Sequence, residues 1–246
     1  IDNCIISGNS TDYGGGGIFN CAGTLTITSS TISGNTAANY GGGIYNDNGG
    51  NVTITSSTIS GNTAAYGGGI YNRNGTIDIT SSDISGNTAD YGGGIYNYGT
   101  LNITSSTTIS GNTAAYGGGI YNYGTLTITS STISGNSTDH CGGGIYNING
   151  TLTITSSDIS GNDADYGGGI YNNNGTLTIT SSNISGNDVS QQGGGIYLRG
   201  TGTITIGGSS SIDTDNFNTF TDNKKNGTVS VDQHICNSSG DCRSSY

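Results

Sequence analysis

Apolar and polar residues alternate with period two in short stretches that recur along almost the whole chain. In Thr125-Leu126-Thr127-Ile128-Thr129 the two aliphatic residues fall on one side and the three threonines on the other. This is the signature of a strand buried on one face. The block or a variant of it begins at 24, 51, 76, 100, 125, 151, 176 and 201. A second block, glycines followed by Ile and an aromatic, places its Ile at 18, 44, 70, 95, 120, 145, 170 and 196. In it Ile145 points inward and Tyr146 outward. A third block, Ile-Ser-Gly-Asn, ends at Asn9, Asn35, Asn62, Asn87, Asn112, Asn136, Asn162 and Asn187, with a degenerate ninth copy ending at Asn223.

The three blocks keep a common period of 25 or 26 residues. They predict an all-β chain: a parallel β-helix (β-solenoid) of about eight coils, three short strands per coil, joined by Gly, Asn and Ser turns. One coil cannot bury its apolar side alone, whereas stacking on near-identical neighbours buries it and pairs the backbone. Coils begin near 14, 41, 67, 92, 117, 142, 167 and 193, so residues 1–206 form the stack. Residues 207–246, where the pattern decays, are expected to form an irregular last coil and a cap over its open edges. Asparagines at 20, 46, 72, 97, 122, 147 and 172 recur at one corner, where stacked amides can bond coil to coil.

Composition changes this picture little and narrows the function more. Glycine is abundant, at 47 residues, but proline is absent, which excludes collagen and proline-rich linkers. Net charge is −11, and the cations are Arg73, Arg199, Lys224, Lys225 and Arg243. So few scattered cations build no basic face, so nucleic acid and anionic membrane are not expected as partners. No apolar run is long enough for a helix to insert into a bilayer. The chain begins at Ile1 inside a repeat, as expected of a processed or truncated piece of a secreted precursor.

With the blocks aligned, the chain resembles the repeats of chlamydial polymorphic outer-membrane proteins, which carry GGA followed by an aliphatic residue, and FxxN. Here the first motif reads Gly67-Gly68-Gly69-Ile70 and its equivalents; the second reads ISGN, and Phe220-Thr221-Asp222-Asn223 matches outright. The resemblance spans about residues 3–223. It implies a right-handed parallel β-helix, secreted, acting in adhesion or surface display. Right-handed crossover is also the general rule for parallel strands.

Candidate chemistry is sparse. Glycoside hydrolysis needs two carboxylates at a defined separation, and the acids here replace turn or outward positions singly, as Asp83 and Asp158 do. No catalytic residue is assigned, and the chain is not expected to be an enzyme. Asp139, Asp163, Asp165 and Asp188 gather at one corner, with Asp158 nearby, an oxygen-rich set of the kind calcium takes. The GGxGxD calcium loop is absent and an acidic corner equally serves solubility, so no metal or cofactor is assigned.

Outward threonines make a separate candidate surface, exemplified by Thr125, Thr127, Thr129, Thr151, Thr153 and Thr155. Stacking gives columns roughly 6.7 Å apart and rows about 4.8 Å apart, an array similar to the faces of ice-binding solenoids. Threonine is also simply a favoured outward strand residue. Two columns of aromatics, one from Phe19 to Tyr197 and one from Tyr13 to Tyr166, serve either packing or contact with sugars or a partner. Among many N-x-S/T sequons, Asn51 and Asn102 replace outward threonines and are the glycosylation candidates.

Five cysteines in a secreted chain suggest disulfides with one thiol over. Cys4–Cys21 would fasten the first coil and Cys236–Cys242 the tail, leaving Cys141 as a buried free thiol or a link to a neighbouring chain. The expectation is an extracellular, cell-surface structural or adhesive protein that associates with itself into filaments or with glycans or surface receptors. Ice binding through the threonine face and polysaccharide binding are the alternatives.

Overall fold

The computed structural model describes residues 1–201 and 203–207, and beyond them the backbone of short strands at 219–221, 224–225, 228–229, 235–237 and 242–243. Every coil of the stack repeats one path. In the middle of the stack it runs through Ile120–Asn122, Thr125–Thr129, Thr132–Ser134 and Ser137–Cys141 before the next coil opens at Ile145–Ile148. Each strand pairs in parallel with its counterparts one coil before and after, building four sheets. We call them by residue type: the tyrosine sheet of ten strands, the threonine sheet of eight, the Ile-Ser sheet of nine and the Thr-Ala sheet of ten.

Four strands per coil correct the three expected. The additional strand follows the buried asparagine of Ile-Ser-Gly-Asn, as in Thr113–Tyr116. Its inward residue is only Ala114, 4% exposed, so no aliphatic alternation marks it in the sequence. The cross-section is therefore four-sided, with Ile120, Leu126, Ile128 and Ile133 fully buried at its centre.

The glycine triplets answer a spacing requirement where the Thr-Ala sheet turns into the tyrosine sheet. A Cβ placed on Gly68 would lie 2.5 Å from the carbonyl oxygens of both Gly93 and Thr88, so adjacent coils touch there backbone to backbone. Gly67 before it turns the chain at φ +66°, which costs glycine nothing. The corner from the threonine sheet into the Ile-Ser sheet also uses left-handed residues, but they are serines: Ser56 has φ 48° and Ser130 φ 49°. The extra residue of one coil is absorbed here, where Ser105 and Ser106 both take positive φ, at 56° and 61°.

Buried polar ladders hold the corners in register. Asn112 is fully buried. Its backbone N–H and its side-chain amide both donate to Oδ1 of Asn136 in the next coil, at 3.0 and 2.9 Å, and the amide donates again to the Ile84 carbonyl of the preceding coil at 2.9 Å. The same pattern runs through Asn35, Asn62, Asn87, Asn136 and Asn162. A second ladder forms at the corner expected from the sequence, where Asn97 donates to Asn122 at 2.8 Å and to the Gly99 carbonyl at 3.1 Å. Serines make a third. The Ser57 hydroxyl donates to Thr55 O at 2.7 Å and accepts the Ser30 N–H at 3.1 Å.

One boundary differs from the sequence reading. The last threonine strand is Thr203–Ile206, with Thr203 opposite Thr176, so this block starts two residues later than expected, after a turn at 200–201. Beyond it, Thr219–Thr221 continues the Ile-Ser sheet with Phe220 opposite Ile184, as its FTDN motif implies. Lys224–Lys225 then pairs antiparallel with Thr228–Val229, and Ile235–Asn237 with Cys242–Arg243. The remainder of the expected cap at 207–246 lies outside the described residues.

Replacing Asn112 by Ala strips the acceptor from two Asn87 donors and a donor from the Ile84 carbonyl. Unsatisfied buried groups cost about 1–3 kcal/mol each, so Asn112→Ala is expected to lose about 2–5 kcal/mol, while Thr127→Ala on the outer face stays within about 0.5 kcal/mol. Urea-unfolding midpoints compare the two, and equal midpoints would contradict the ladder's role.

Candidate functional surfaces

The threonine sheet presents its outward residues in strict register. Thr125 lies opposite Thr151, which lies opposite Thr176 and then Thr203; Thr127, Thr153, Thr178 and Thr205 form the neighbouring column, and Thr129, Thr155 and Thr180 the third. Leu126 and Ile128 beneath are fully buried, which fixes which side the threonines face. The hydroxyls of Thr127 and Thr153 have no hydrogen-bond partner among the described residues. Earlier coils interrupt this surface. Asn51 stands exposed in the first column, and Asp78 and Asn102 meet in the second, with the Asn102 amide donating to Asp78 at 2.7 Å. Both glycosylation candidates thus lie on the interrupted half.

From the second coil on, the outward tyrosines of the tyrosine sheet are buried. Tyr45, Tyr71, Tyr96, Tyr121, Tyr146, Tyr171 and Tyr197 are 1–8% exposed and form a second core outside the first. Tyrosines at the end of the Thr-Ala strands lean over them: Tyr66 crosses Tyr96 edge-on at 5.7 Å, as Tyr91 crosses Tyr121. Covering rings also stack along the solenoid, Tyr66 on Tyr91 at 5.2 Å and Tyr91 on Tyr116 at 5.4 Å. Packing is thus the main work of these columns, and exposed aromatic surface is left at Tyr13, Phe19 and Tyr98.

Burial dominates the ionisation of this layer. It is the largest cause pushing the Tyr45 phenol up to about 12, with the hydrogen bond to Asp47 next. Burial likewise raises Tyr71, Tyr96, Tyr121 and Tyr171 far above an ordinary phenol. Two arginines sit on its rim. Arg73 pairs with Asp47 at 3.2 Å, and Arg199 donates to the Tyr171 hydroxyl at 3.4 Å.

The carboxylates of the acidic corner are spread over three coils. Asp163 and Asp188 are register partners on adjacent strands, and burial followed by Asp188 raises the Asp163 carboxyl. Asp165 accepts a hydrogen bond from the Ser190 hydroxyl, and Asp139 lies one coil earlier in Ser137–Cys141. Among the described residues no three His, Cys, Asp or Glu side chains converge as metal ligands. Asp158 lines a shallow groove along the serine corner, where Ser160 and Asn183 both donate to it at 2.8 Å. Among the described residues no His, Lys or Arg lines this groove, and His140 packs its ring on Tyr116 at 4.7 Å.

The expected Cys4–Cys21 bridge is absent, and both thiols are free and exposed. They stand on different sides of the first coil. Cys4 precedes the Ile-Ser strand, its Sγ donating to Asp2 O as the ladder serines do in later coils, while Cys21 ends a tyrosine-sheet strand. Cys141 lies between Tyr116 and Tyr166 in register, a free thiol that burial pushes up to about 11. In the tail the backbone places Cys236 opposite Cys242 in an antiparallel pair.

The sequence matches the family model of the right-handed β-helix region over residues 42–211. A model of the Chlamydia polymorphic membrane protein repeat matches residues 29–47, a span holding one Ile-Ser-Gly-Asn block and one glycine triplet. No curated protein and no solved structure matches the chain.

A phenol held neutral by burial contributes stability that is complete below the unfolded phenol's pKa of about 10 and is lost as pH rises through its folded value. Alkaline titration is therefore expected to unfold the protein above about pH 10, with tyrosinate absorbance and loss of the β circular-dichroism signal rising together. Tyrosinate appearing in full with the fold intact would contradict the buried layer.

Proposed function

The chain belongs to the right-handed β-helix family, and from that premise we propose that it is a non-catalytic scaffold displayed at a cell surface, acting in adhesion. The observation that carries this reading is register. Outward groups recur at one position over several coils, as in the threonine column through Thr127, Thr153 and Thr178. A surface of this kind multiplies one weak contact along its length, and linked weak contacts give avidity without any single strong site. The dispersal of acids and, among the described residues, a groove at Asp158 lined by no His, Lys or Arg support a role without turnover. The short match to the polymorphic membrane protein repeat supports surface location.

Glycans and surface receptors are the partners this reading favours, since Thr, Ser, Asn and Tyr supply neutral hydrogen bonds and ring faces rather than charge. On a panel of polysaccharides the purified protein is expected to be retained by some and to cleave none. Cleavage lost in Asp158→Ala or Asp163→Ala would overturn the proposal. Self-association belongs to the same reading, and negative-stain microscopy tests it: filaments support it, and isolated short rods argue against it.

A second reading, ice binding, is favoured by one observation. From Thr125 to Thr180 three threonine columns run without interruption. Thr127→Tyr and Thr153→Tyr would then abolish thermal hysteresis and inhibition of ice recrystallisation. Absence of both activities in the unmutated protein at high concentration would dismiss the reading.

A further inference from the structure

The position that follows the buried asparagine of the tyrosine sheet holds Asp47, Arg73, Tyr98, Tyr123, Ile148 and Asn173 in successive coils, and Arg199, after Leu198, is its counterpart in the next. It changes from coil to coil, and two pairs of neighbours along it interact. Asp47 and Arg73 form an ion pair. Tyr98 and Tyr123 stack face to face, ring centres 4.8 Å apart and planes 12° apart. Their backbones are locked one coil apart, since Tyr98 N–H donates to Asn72 O and Tyr123 N–H to Asn97 O, both at 2.8 Å.

Beneath this pair lies another. Tyr96 and Tyr121, 4% and 6% exposed, stack at 4.8 Å. Tyr98 lies 5.3 Å from Tyr96, and Tyr123 lies 5.5 Å from Tyr121. The four rings make one cluster with two buried members and two outer ones. Tyr98 is 47% exposed and Tyr123 partly so. A tyrosine that gives up an electron must also shed its phenolic proton. Burial, with the neighbouring outer tyrosine adding to it, holds the protons on Tyr96 and Tyr121, whereas Tyr98 reaches water directly. Oxidation of the cluster therefore ends on the outer pair.

We propose that Tyr98 and Tyr123 are a site of oxidative cross-linking, joined as dityrosine by a peroxidase-type one-electron oxidant using hydrogen peroxide. Each phenol loses one electron and one proton to give a phenoxyl radical. The two radicals join through a carbon–carbon bond between ring positions ortho to the hydroxyls. The hydrogens on those carbons then move to the oxygens, restoring both aromatic rings and both hydroxyls. The two electrons and two protons reduce one hydrogen peroxide to two waters, so the protein loses two hydrogens in all. Joining needs one ring to slide from its stacked position until ring edges meet. Tyr98 has that freedom, because the same position in the flanking coils carries Arg73 and Ile148 rather than further rings. Tyr91 lacks it, stacked between Tyr66 and Tyr116 and set edge-on against Tyr121. The product is a covalent tie between adjacent coils, at a level where the fold otherwise relies on hydrogen bonds and packing.

Peroxidase and hydrogen peroxide, applied to dilute full-length protein, test this through dityrosine fluorescence and mass spectrometry of proteolytic peptides. The expected product is a monomer in which the Tyr98 and Tyr123 peptides are joined with loss of two hydrogens. Tyr98→Phe and Tyr123→Phe keep the ring packing but cannot form the radical, and each is expected to lose most of the emission; Tyr13→Phe, removing another exposed phenol, keeps it. Unchanged emission in both Tyr98→Phe and Tyr123→Phe, a cross-link mapped to Tyr66, Tyr91 or Tyr116, or a yield that rises with protein concentration alongside covalent dimers would each overturn the proposal.

Discussion

The fold depends on one constraint: at each buried corner, the polar groups of a coil find their partners in the coils on either side. Asn112 shows the arrangement in full, with an acceptor that receives two hydrogens from the coil before and an amide that reaches both ways. A single amide hydrogen bond contributes about 0.5–1.5 kcal/mol net, but leaving its groups unpaired in the interior costs more. A shift of register by one residue would break the asparagine and serine ladders together and turn the buried isoleucines outward. Apolar burial supplies the drive to stack, and the ladders decide how the coils stack.

In-register stacking also explains which side chains the surface carries. Any residue type repeated at one position stands about 4.8 Å from its copies, where two like charges at a protein surface repel by some 1–4 kcal/mol depending on the effective dielectric. A long column of carboxylates would sum that penalty at every rung. The chain uses Thr, Ser, Asn and Tyr instead and is only 9% charged. Asp47 on one coil is matched by Arg73 on the next, and Asp78 is met by the neutral Asn102 amide rather than by another carboxylate. Asp163 and Asp188 are the exception, and the raised Asp163 carboxyl records it.

Much of this was legible in the sequence because period and alternation report directly on stacking and on which side faces inward. The central Ile and Leu residues and the asparagine ladder at Asn46, Asn72 and Asn97 were both read correctly from spacing. What escaped was whatever alternation does not encode. The Thr-Ala strand turns only an alanine inward, so it resembles a loop. The asparagine of Ile-Ser-Gly-Asn looks like turn chemistry beside its glycine, although its amide is fully buried; the one available signal was its lack of variation across eight coils. Tyr146 was correctly placed outside the aliphatic core, yet it is 8% exposed because a second layer of tyrosines covers that side. The eighth threonine strand was misplaced because Thr201-Gly202-Thr203 mimics the start of the block two residues early. A Cys4–Cys21 link was inferred from nearness in sequence, which does not tell which side of a coil each residue occupies.

The surfaces that bear on function follow from the same economy. A coil that must match its neighbours at every buried corner keeps its variation mainly for outward positions, since stacking brings like groups together. Departures occur at buried positions, as where Val189 replaces the inward alanine, and also at outward ones, where Asp78 with Asn102 and Tyr98 with Tyr123 pair across two coils. The outward surface therefore offers two kinds of feature: a uniform column, as on the threonine sheet, and a pair on adjacent rungs where the repeat varies, as at Tyr98 and Tyr123.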